Sequence, residues 1–240
     1  MLNPFKPANY FFIFIGFLVI SASSCNSFKR EKAVVKALLV PTPTVVKDID
    51  GNSYKSVKIG KQEWLVENLK TTRYQNGDAI PVVSDEFKWK NLTTGAYCNY
   101  ENDTGYYKRY GRLYNWYALN DSRKICPKGW HVPTDADWDK LTSFLGGEIV
   151  AGGKMKESKA AYWDIPNIGA TNESGFTALP GGYRSIKGEF NSLGSYTFFW
   201  SSTGYSSDMA WCRYLQNGND QVERIENYKR FGFSVRCIKD

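Results

Sequence analysis

The sequence predicts an α+β domain, with one main helix among several short strands. Residues 134–145 carry the capping residues and apolar spacing of an amphipathic helix. The last third of the chain alternates strand-like runs with glycine turns. Aromatic residues make up 16% and hydrophobic residues 42% of the chain, which indicates a packed, β-rich or loop-rich body. A length of 240 residues allows one large domain or two small ones. No internal repeat appears, so a single domain over 45–240 is the simplest interpretation.

The first 24 residues have the pattern of an export signal. Lys6 precedes an apolar run of ten residues, 11–20, a length that fits a signal peptide and is short for a membrane span. Small residues at 22–24 and then Cys25 follow this run, an order that resembles the lipobox of bacterial lipoproteins. Ala22 stands where that motif has an aliphatic residue. We expect residues 1–24 to be a lipoprotein signal peptide and Cys25 to carry the lipid; an uncleaved anchor and plain secretion are the alternatives.

Residues 25–44 connect this signal to the domain. They begin with a charged stretch and end in Pro-Thr-Pro-Thr, which stiffens a linker. We expect a lipid-anchored tether here, with a short helix over 31–39 as an alternative.

The domain opens with strand-like runs and a short helix. Asp50-Gly51 between two extended runs predicts a hairpin rather than a calcium loop. Residues 62–74 read as a strand that leads into irregular chain, and residues 84–92 as a short helix capped by Ser84. Residues 95–100 form a further strand that contains Cys98, and the aromatic run 106–119 is typical of core.

The main helix begins after Thr134, whose hydroxyl caps the backbone N–H of Asp137, while Asp137 reaches back as a capping box. Pro133 and Trp138 are placed to form a hydrophobic staple. The expected core-facing stripe is Trp138, Leu141, Phe144 and Leu145, and Gly146-Gly147 ends the helix. We expect a glycine-rich loop region over 146–182. Five strands follow it in the prediction: 183–190, 198–202, 209–215, 222–225 and 231–238.

Several segments, taken in order, resemble the Fibrobacter succinogenes major paralogous domain, a family common in bacterial lipoproteins. They are DIDGNSYKSVKIGKQEWLVENLK, GAYCNYEND, YGRLYNWYAL, CPKGWHVPTDADWDKL, SGFTALPGGYR, FWSST and GFSVRCIKD. PTDADW, GGYR and the terminal GFSVR are also similar to the formylglycine-generating, sulfatase-modifying family. That second resemblance implies a C-type-lectin-like fold in which a long loop region separates the helix from the last strands.

Four cysteines remain in the domain, and an even number in an exported chain predicts two disulfides with three possible pairings. C-type-lectin-like domains bring the helix region and the last strand together, so the resemblance implies a Cys126–Cys237 bridge. This leaves Cys98 and Cys212 as the second expected pair.

Catalytic and metal motifs are missing from the sequence. His131 is the single histidine and is more typical of a structural hydrogen-bonding residue than of a general base. No GxSxG or CxxC motif occurs, and the close cysteine pair of the sulfatase-modifying enzymes is absent. Segments 165–167 and 218–220 only partly match the calcium-dependent sugar motifs of C-type lectins. We therefore expect neither catalysis nor a metal or other cofactor.

The expected function is binding. Trp163, Trp200 and Tyr205 are the candidate ligand residues, because aromatic rings stack on glycans or peptides at little entropic cost; the alternative is that they pack under their own loops. The formal charge is +7 but the basic residues are interleaved with acidic ones, so nucleic acid is not an expected partner. We expect a lipid-anchored envelope protein, in the outer membrane and facing either side, that binds a glycan or an envelope protein. An enzyme derived from the sulfatase-modifying fold and a structural envelope component are the alternatives.

Overall fold

Short strands and five helices make up residues 45–240, the part of the chain that the computed structural model describes. The predicted signal peptide, the lipid site at Cys25 and the tether lie outside these residues. In chain order the strands are β1 (Val46–Lys47), β2 (Ser53–Tyr54), β3 (Ser56–Ile59), β4 (Gln62–Leu65), β5 (Tyr97–Cys98), β6 (Leu113–Tyr114), β7 (Trp130–His131), β8 (Gly181–Arg184), β9 (Phe190–Leu193), β10 (Tyr196–Gly204), β11 (Met209–Gln216), β12 (Glu223–Tyr228) and β13 (Ile238–Lys239). The helices are α1 (Glu86–Lys90), α2 (Thr104–Tyr110), α3 (Trp116–Leu119), α4 (Asp135–Phe144) and α5 (Glu148–Met155), with a 3-10 turn at Tyr100–Asn102.

Two sheets organise these strands. The larger sheet has the order β12-β11-β10-β8-β9 and is antiparallel except where β10 pairs with β8. The smaller sheet has the order β3-β4-β13-β7 and is antiparallel throughout, with the last strand of the chain between two much earlier ones. β1 pairs with β2 and β5 with β6 in separate ribbons. The predicted α+β class is confirmed, and the described residues fall in one compact unit.

The first hairpin confirms the predicted turn. The carboxylate of Asp48 accepts hydrogen bonds from the backbone N–H groups of Asp50 and Asn52 at 3.0 and 2.9 Å. It also accepts one from the Tyr54 hydroxyl at 2.6 Å. These bonds fix the loop of the β1–β2 hairpin, so Asp48 serves the turn.

Helix α4 begins as predicted. The Thr134 side chain accepts from the backbone N–H of Asp137, and the Asp137 carboxylate accepts from the backbone N–H of Thr134, which completes the capping box. Trp138 and Leu141 are fully buried and Leu145 nearly so. The prediction for Phe144 is wrong: its side chain is 64% exposed. At 100° per residue, Phe144 projects well away from Trp138, so it lies outside the buried stripe.

Helix α5 lies inside the region predicted to be a glycine-rich loop, and that prediction is wrong for Glu148–Met155. Glycine has low helix propensity, which is why the sequence pattern did not indicate a helix at Gly152-Gly153. The structure supplies the reason for both glycines. A Cβ atom at Gly152 would lie 2.1 Å from the carbonyl oxygen of Gln221, and one at Gly153 would lie 2.4 Å from that of Gly169. Close backbone packing therefore requires glycine at both positions of this helix.

Three further boundaries differ from the prediction. The predicted strand over 183–190 is instead the end of β8 at Arg184, a turn, and the start of β9 at Phe190. Helix α1 is capped by Asp85, whose carboxylate accepts from the backbone N–H of Lys88, and not by Ser84. The predicted strand over 231–238 is regular only at β13, although Phe233 and Ser234 form isolated bridges with Tyr114 and Phe199.

The core is dominated by aromatic side chains. Trp64, Trp138, Phe176 and Phe199 pack together with ring centroids 4.9 to 6.0 Å apart. The run 106–119 contributes buried side chains as predicted, among them Tyr114 and Trp116. None of the helices between residues 45 and 240 is long and apolar enough to span a bilayer.

A buried lysine, Lys156, joins two loops to the end of helix α5. The Lys156 ammonium donates to the carbonyl oxygens of Ile168, Gln216 and Asn219 at 2.8, 2.9 and 2.7 Å. Burial lowers the pKa of Lys156 to about 8, and the charge of Asp220 opposes that shift. One side chain thereby ties the end of α5 to two loops.

Candidate functional site

Two of the three predicted ligand residues are buried, so their assignment is corrected here. Trp163 is 3% exposed, and its indole N–H donates to the carbonyl of Ala178 at 2.9 Å. Trp200 is fully buried, and its indole N–H donates to the carbonyl of Tyr114 at 2.9 Å. Both rings pack inside the domain with their polar atoms satisfied, and neither presents a face to a ligand.

Tyr205 is on the surface, as expected of a ligand residue. Its side chain is 54% exposed, in the loop that joins β10 to β11. The ring meets Trp211 edge-on, with centroids 4.9 Å apart and an interplanar angle of 73°. Backbone bonds from the N–H groups of Tyr205 and Ser206 to the carbonyl of Met209 hold the loop. Tyr205 therefore occupies a defined position beside Trp211.

The pairing of β11 with β12 extends this surface. Met209 lies opposite Tyr228, Trp211 opposite Glu226 and Arg213 opposite Arg224. Directly opposed residues share a face of a sheet, and residues two apart along a strand share it too. We call this surface the aromatic face and define it by Tyr205, Met209, Trp211, Arg224, Glu226 and Tyr228. Tyr228 is 40% exposed, and Met209 and Trp211 are partly exposed.

Arg224 is held against Trp211 by helix α4. Its guanidinium carbon lies 3.4 Å from the centroid of the Trp211 ring. Nη2 and Nε of Arg224 donate to the Asp135 carboxylate at 2.7 and 3.0 Å. Because the first turn of α4 carries Asp135, the helix fixes the plane of the guanidinium and with it one side of the tryptophan.

Arg213 completes an ion-pair network beneath this surface. It is fully buried, and its Nη1 and Nη2 each lie 2.6 Å from a carboxylate oxygen, of Asp135 and Asp139 respectively. Burial raises the pKa of Asp135, but the hydrogen bonds and charges of Arg224 and Arg213 outweigh it and lower the pKa below its usual value. Asp135 is thus ionised at neutral pH and anchors both arginines.

This arrangement suits non-covalent binding. Tyr205 and Tyr228 offer exposed ring surface, which can stack on sugar rings or pack against a protein side chain. Within residues 45–240, Arg224 donates hydrogen bonds through Nε and Nη2. Its Nη1 has no partner there and can donate to a ligand. The Glu226 carboxylate supplies an acceptor on the same face. No nucleophile is involved in this set of contacts.

A second aromatic group lies on the other face of the larger sheet. Tyr214 lies opposite Phe198, and three residues along β11 separate Tyr214 from Trp211, which places these two on opposite faces. The group comprises the partly exposed side chains Tyr183, Tyr196, Phe198, Tyr214 and Phe231. Its members contact one another and the buried Phe233, for example Phe198 and Phe233 at 4.7 Å. These rings chiefly cover the core.

Sequence reasoning identified Tyr205 and missed Trp211, Arg224 and Tyr228. The alternation in 209–215 contains a signal, since it places Met209 and Trp211 on one side of a strand. The register that brings Arg224 and Tyr228 beside them depends on β12 pairing, which no local pattern encodes.

The cysteines follow the prediction in part. Cys126 and Cys237 form a disulfide, which confirms the pairing implied by the resemblance. The prediction of a Cys98–Cys212 bridge is wrong, because both thiols are free. They belong to different groups of core residues, Cys98 with Trp89 and Cys212 with Trp200. Burial raises the pKa of each thiol to about 12, so neither is a thiolate at neutral pH.

His131 has a carboxylate at each ring nitrogen. Nδ1 lies 2.8 Å from Asp240 Oδ1, and Nε2 lies 3.4 Å from Asp137 Oδ2. Neither partner is a serine or cysteine. Within residues 45–240, no group of three or more His, Cys, Asp or Glu side chains is arranged to hold a metal ion.

Comparison with known proteins identifies a family. No curated protein and no solved structure matches the chain. The model of the Fibrobacter succinogenes major domain matches residues 57–239, which include both sheets' main strands, helix α4 and the Cys126–Cys237 bridge. Because that match covers most of the 240 residues, the chain belongs to the Fibrobacter succinogenes major domain family.

Proposed function

We propose that this chain is a lipid-anchored protein of the cell envelope whose domain binds a glycan or protein ligand without catalysing a reaction. The aromatic face is the proposed binding surface, and the partner is a component of the envelope. The proposed location is the outer membrane, reached through the signal peptide and the lipid on Cys25. A purely structural envelope component, with no ligand at the aromatic face, is the alternative of another class.

The exposure of Tyr205 and Tyr228 around a fixed Trp211–Arg224 pair is the observation that carries the proposal. Tyrosine, tryptophan and arginine are enriched where the binding energy of protein interfaces concentrates, and all three residue types meet on this face. Arg224 is held in place by Asp135, so its side chain loses little conformational entropy when a ligand binds. The aromatic face is thus organised before the ligand arrives.

Non-catalytic binding is favoured over the enzyme alternative by the state of the nucleophiles. A Cys98 or Cys212 thiol with a pKa near 12 is a poor nucleophile at neutral pH. We expect both thiols to remain unmodified by Ellman's reagent in the native chain at pH 8 and to react fully in guanidinium chloride. A Cys98 or Cys212 thiol that reacts rapidly in the native chain would instead favour an enzyme related to the sulfatase-modifying fold.

We also propose that the fold is a variant of the C-type-lectin-like fold. The Cys126–Cys237 bridge, which joins the segment before α4 to the residue before β13, supports this assignment. The place of β13 beside β4, which joins the two ends of the domain, supports it too. An experimental structure in which β13 pairs with other strands would contradict it.

The binding proposal is tested with the purified full-length chain on a glycan array and in pull-downs from envelope fractions. We expect at least one reproducible ligand, and we expect the double substitution Tyr205→Ala/Tyr228→Ala to weaken its binding at least about tenfold. Phe87→Ala is the matched control, because Phe87 is 75% exposed on α1, outside the aromatic face.

The outcomes separate the hypotheses. A ligand that the double variant binds as well as the wild type does would refute the aromatic face. If neither assay yields a ligand, the structural role is favoured. Lipid anchoring is tested separately: Cys25→Ala should abolish labelling by a radioactive fatty acid, and equal labelling of both chains would contradict it.

A further inference from the structure

Helix α4 borders a second surface, on a different side from the aromatic face. Asp135 and Asp139 point toward β11, whereas Lys140 and Phe144 lie about 140° further round the helix at 100° per residue. There they line a hollow of about 620 Å³ together with the β3–β4 hairpin. We call it the Phe144 groove; its walls are Ile59, Gly60, Lys61, Gln62, Lys140 and Phe144. This volume lies within the range of small-molecule sites, roughly 300–1,000 Å³.

Phe144 is exposed and also packs against the β3–β4 hairpin. Its side chain is 64% exposed, yet one side of the ring lies directly over Gly60. A Cβ atom at Gly60 would come within 2.8 Å of the ring, and the φ of +61° also favours glycine there. The hairpin therefore supports one face of the ring and leaves the rest of it open to the groove.

The groove carries positive charge without a carboxylate among its walls. Lys61 has no ion-pair partner among residues 45–240, and Lys140 has only a long contact of 3.5 Å to Asp137. Lys61 and Lys140 also border an adjoining hollow that contains the carboxylates of Glu63, Asp137 and Asp240, and each of these has another partner. Asp137 accepts from the backbone N–H of Thr134, and Asp240 lies 2.8 Å from Nδ1 of His131. The Glu63 carboxylate, on the adjoining part of the surface, binds Lys239 at 3.0 Å and accepts from the Ser56 hydroxyl.

We propose that the Phe144 groove binds an acidic sugar residue of a glycan. The C–H face of the sugar stacks on the open side of Phe144, and its carboxylate lies between the ammonium groups of Lys61 and Lys140. A concave site with one supported ring and two lysines complements a ring that carries one negative charge. The proposal uses none of the residues of the aromatic face and does not rest on the function proposed for it.

A membrane surface fits these observations less well. Helices that lie on a bilayer present a continuous apolar face to it. The apolar residues Trp138 and Leu141 of α4 point into the core instead, and Phe144 is the one large apolar side chain of the helix on the groove side.

The test is calorimetric titration of the full-length chain with trigalacturonate, with its trimethyl ester as the uncharged counterpart. We expect binding of trigalacturonate that weakens as salt is raised, and no binding of the ester. Phe144→Ala and Lys61→Gln should each weaken binding about tenfold, and Phe144→Trp should retain it. Phe87→Ala and Lys187→Gln are the matched controls, both exposed and outside the groove.

Each other result overturns the proposal in a distinct way. No binding of trigalacturonate, equal binding of the ester, or binding that Phe144→Ala and Lys61→Gln leave unchanged would each refute an acidic-sugar site in the groove. Vesicles of phosphatidylglycerol serve as a further arm. Sedimentation with these vesicles that is lost in Phe144→Ala, without sugar binding, would assign the groove to a membrane surface. None of these results bears on Tyr205 or Tyr228.

Discussion

At the scale of single residues, Lys156 shows how this domain uses buried charge. Its ammonium satisfies three backbone carbonyls that would otherwise face a dry interior. Two similar cases are the fully buried Arg184 and Arg236. Arg236 donates to the carbonyls of Leu65, Phe176 and Thr177, which joins β4 to the loop before β8. Loops that lack regular hydrogen bonding are thus held by side-chain donors.

Lys156→Met should therefore destabilise the domain although methionine fills similar space. The substitution leaves three carbonyls without donors, and each buried unsatisfied group costs about 1–3 kcal/mol, reduced where water enters. We expect a loss of about 3 kcal/mol in the free energy of unfolding, measured by urea denaturation. Lys159→Met, at an exposed position nearby, should change it little. Equal stability of the two variants would show that the carbonyls find water instead.

Asp135 makes the stability of the folded domain depend on pH. Its pKa is lowered in the folded state by Arg224 and Arg213, against the effect of burial, while in the unfolded chain it is near 3.9. The stabilisation is complete above about pH 4 and is lost as the pH falls through the folded pKa. Asp135→Asn should cost about 2 kcal/mol at pH 7, because Arg213 and Arg224 lose a charged partner.

The difference between wild type and Asp135→Asn should then shrink below about pH 4. Urea midpoints at pH 7 and at pH 2.5 to 4 measure this. A difference that stays constant down to pH 2.5 would contradict an ionised Asp135 at the start of α4.

At the scale of elements, α4 was predictable and α5 was not. The signals of α4 are local, because Thr134 and Asp137 cap each other within one turn. The two glycines of α5 are required because Gln221 and Gly169, which are distant in sequence, lie close to them in the fold. For the same reason Tyr205 was identifiable in its turn, whereas the burial of Trp163 and Trp200 depends on how sheet and loop pack.

Substitution at Gly152 tests this account of α5. Alanine should favour an isolated helix by about 1 kcal/mol, yet its Cβ would lie 2.1 Å from the carbonyl of Gln221. We expect Gly152→Ala to lower the free energy of unfolding by about 3 kcal/mol, seen in the melting temperature. Gly218→Ala is the control, since its nearest neighbour is the flexible side chain of Gln216 at 3.7 Å. A gain in stability for Gly152→Ala would mean that α5 stands further from the loop.

At the scale of the whole molecule, the disulfide closes the domain. It joins residues 111 apart and connects the segment before α4 to the residue before β13. Chain-entropy estimates for a loop of that size give roughly 4–5 kcal/mol, an upper figure because residual structure in the unfolded chain reduces it. Much of the net stability of a domain, about 5–15 kcal/mol, then depends on this bridge.

We expect the double substitution Cys126→Ser/Cys237→Ser to lower the denaturant midpoint sharply. The wild-type chain under strong reductant should match the variant, because reduction removes the same constraint. Peptide mapping of the unreduced chain should show Cys126 joined to Cys237. Finding either one bridged to Cys98 or Cys212 would contradict the arrangement.

The place of β13 between β4 and β7 also sets the order in which the molecule can be made. A ribosome synthesises β3 and β4 first, then β7 and then β13, so the middle strand of this sheet is made after both of its neighbours. Until then β4 and β7 have no strand between them, and their open edges can pair with other chains. Cys126 likewise has no disulfide partner until Cys237 has been synthesised. A chain that has been synthesised as far as β7 but not β13 is therefore expected to need protection from pairing with other chains.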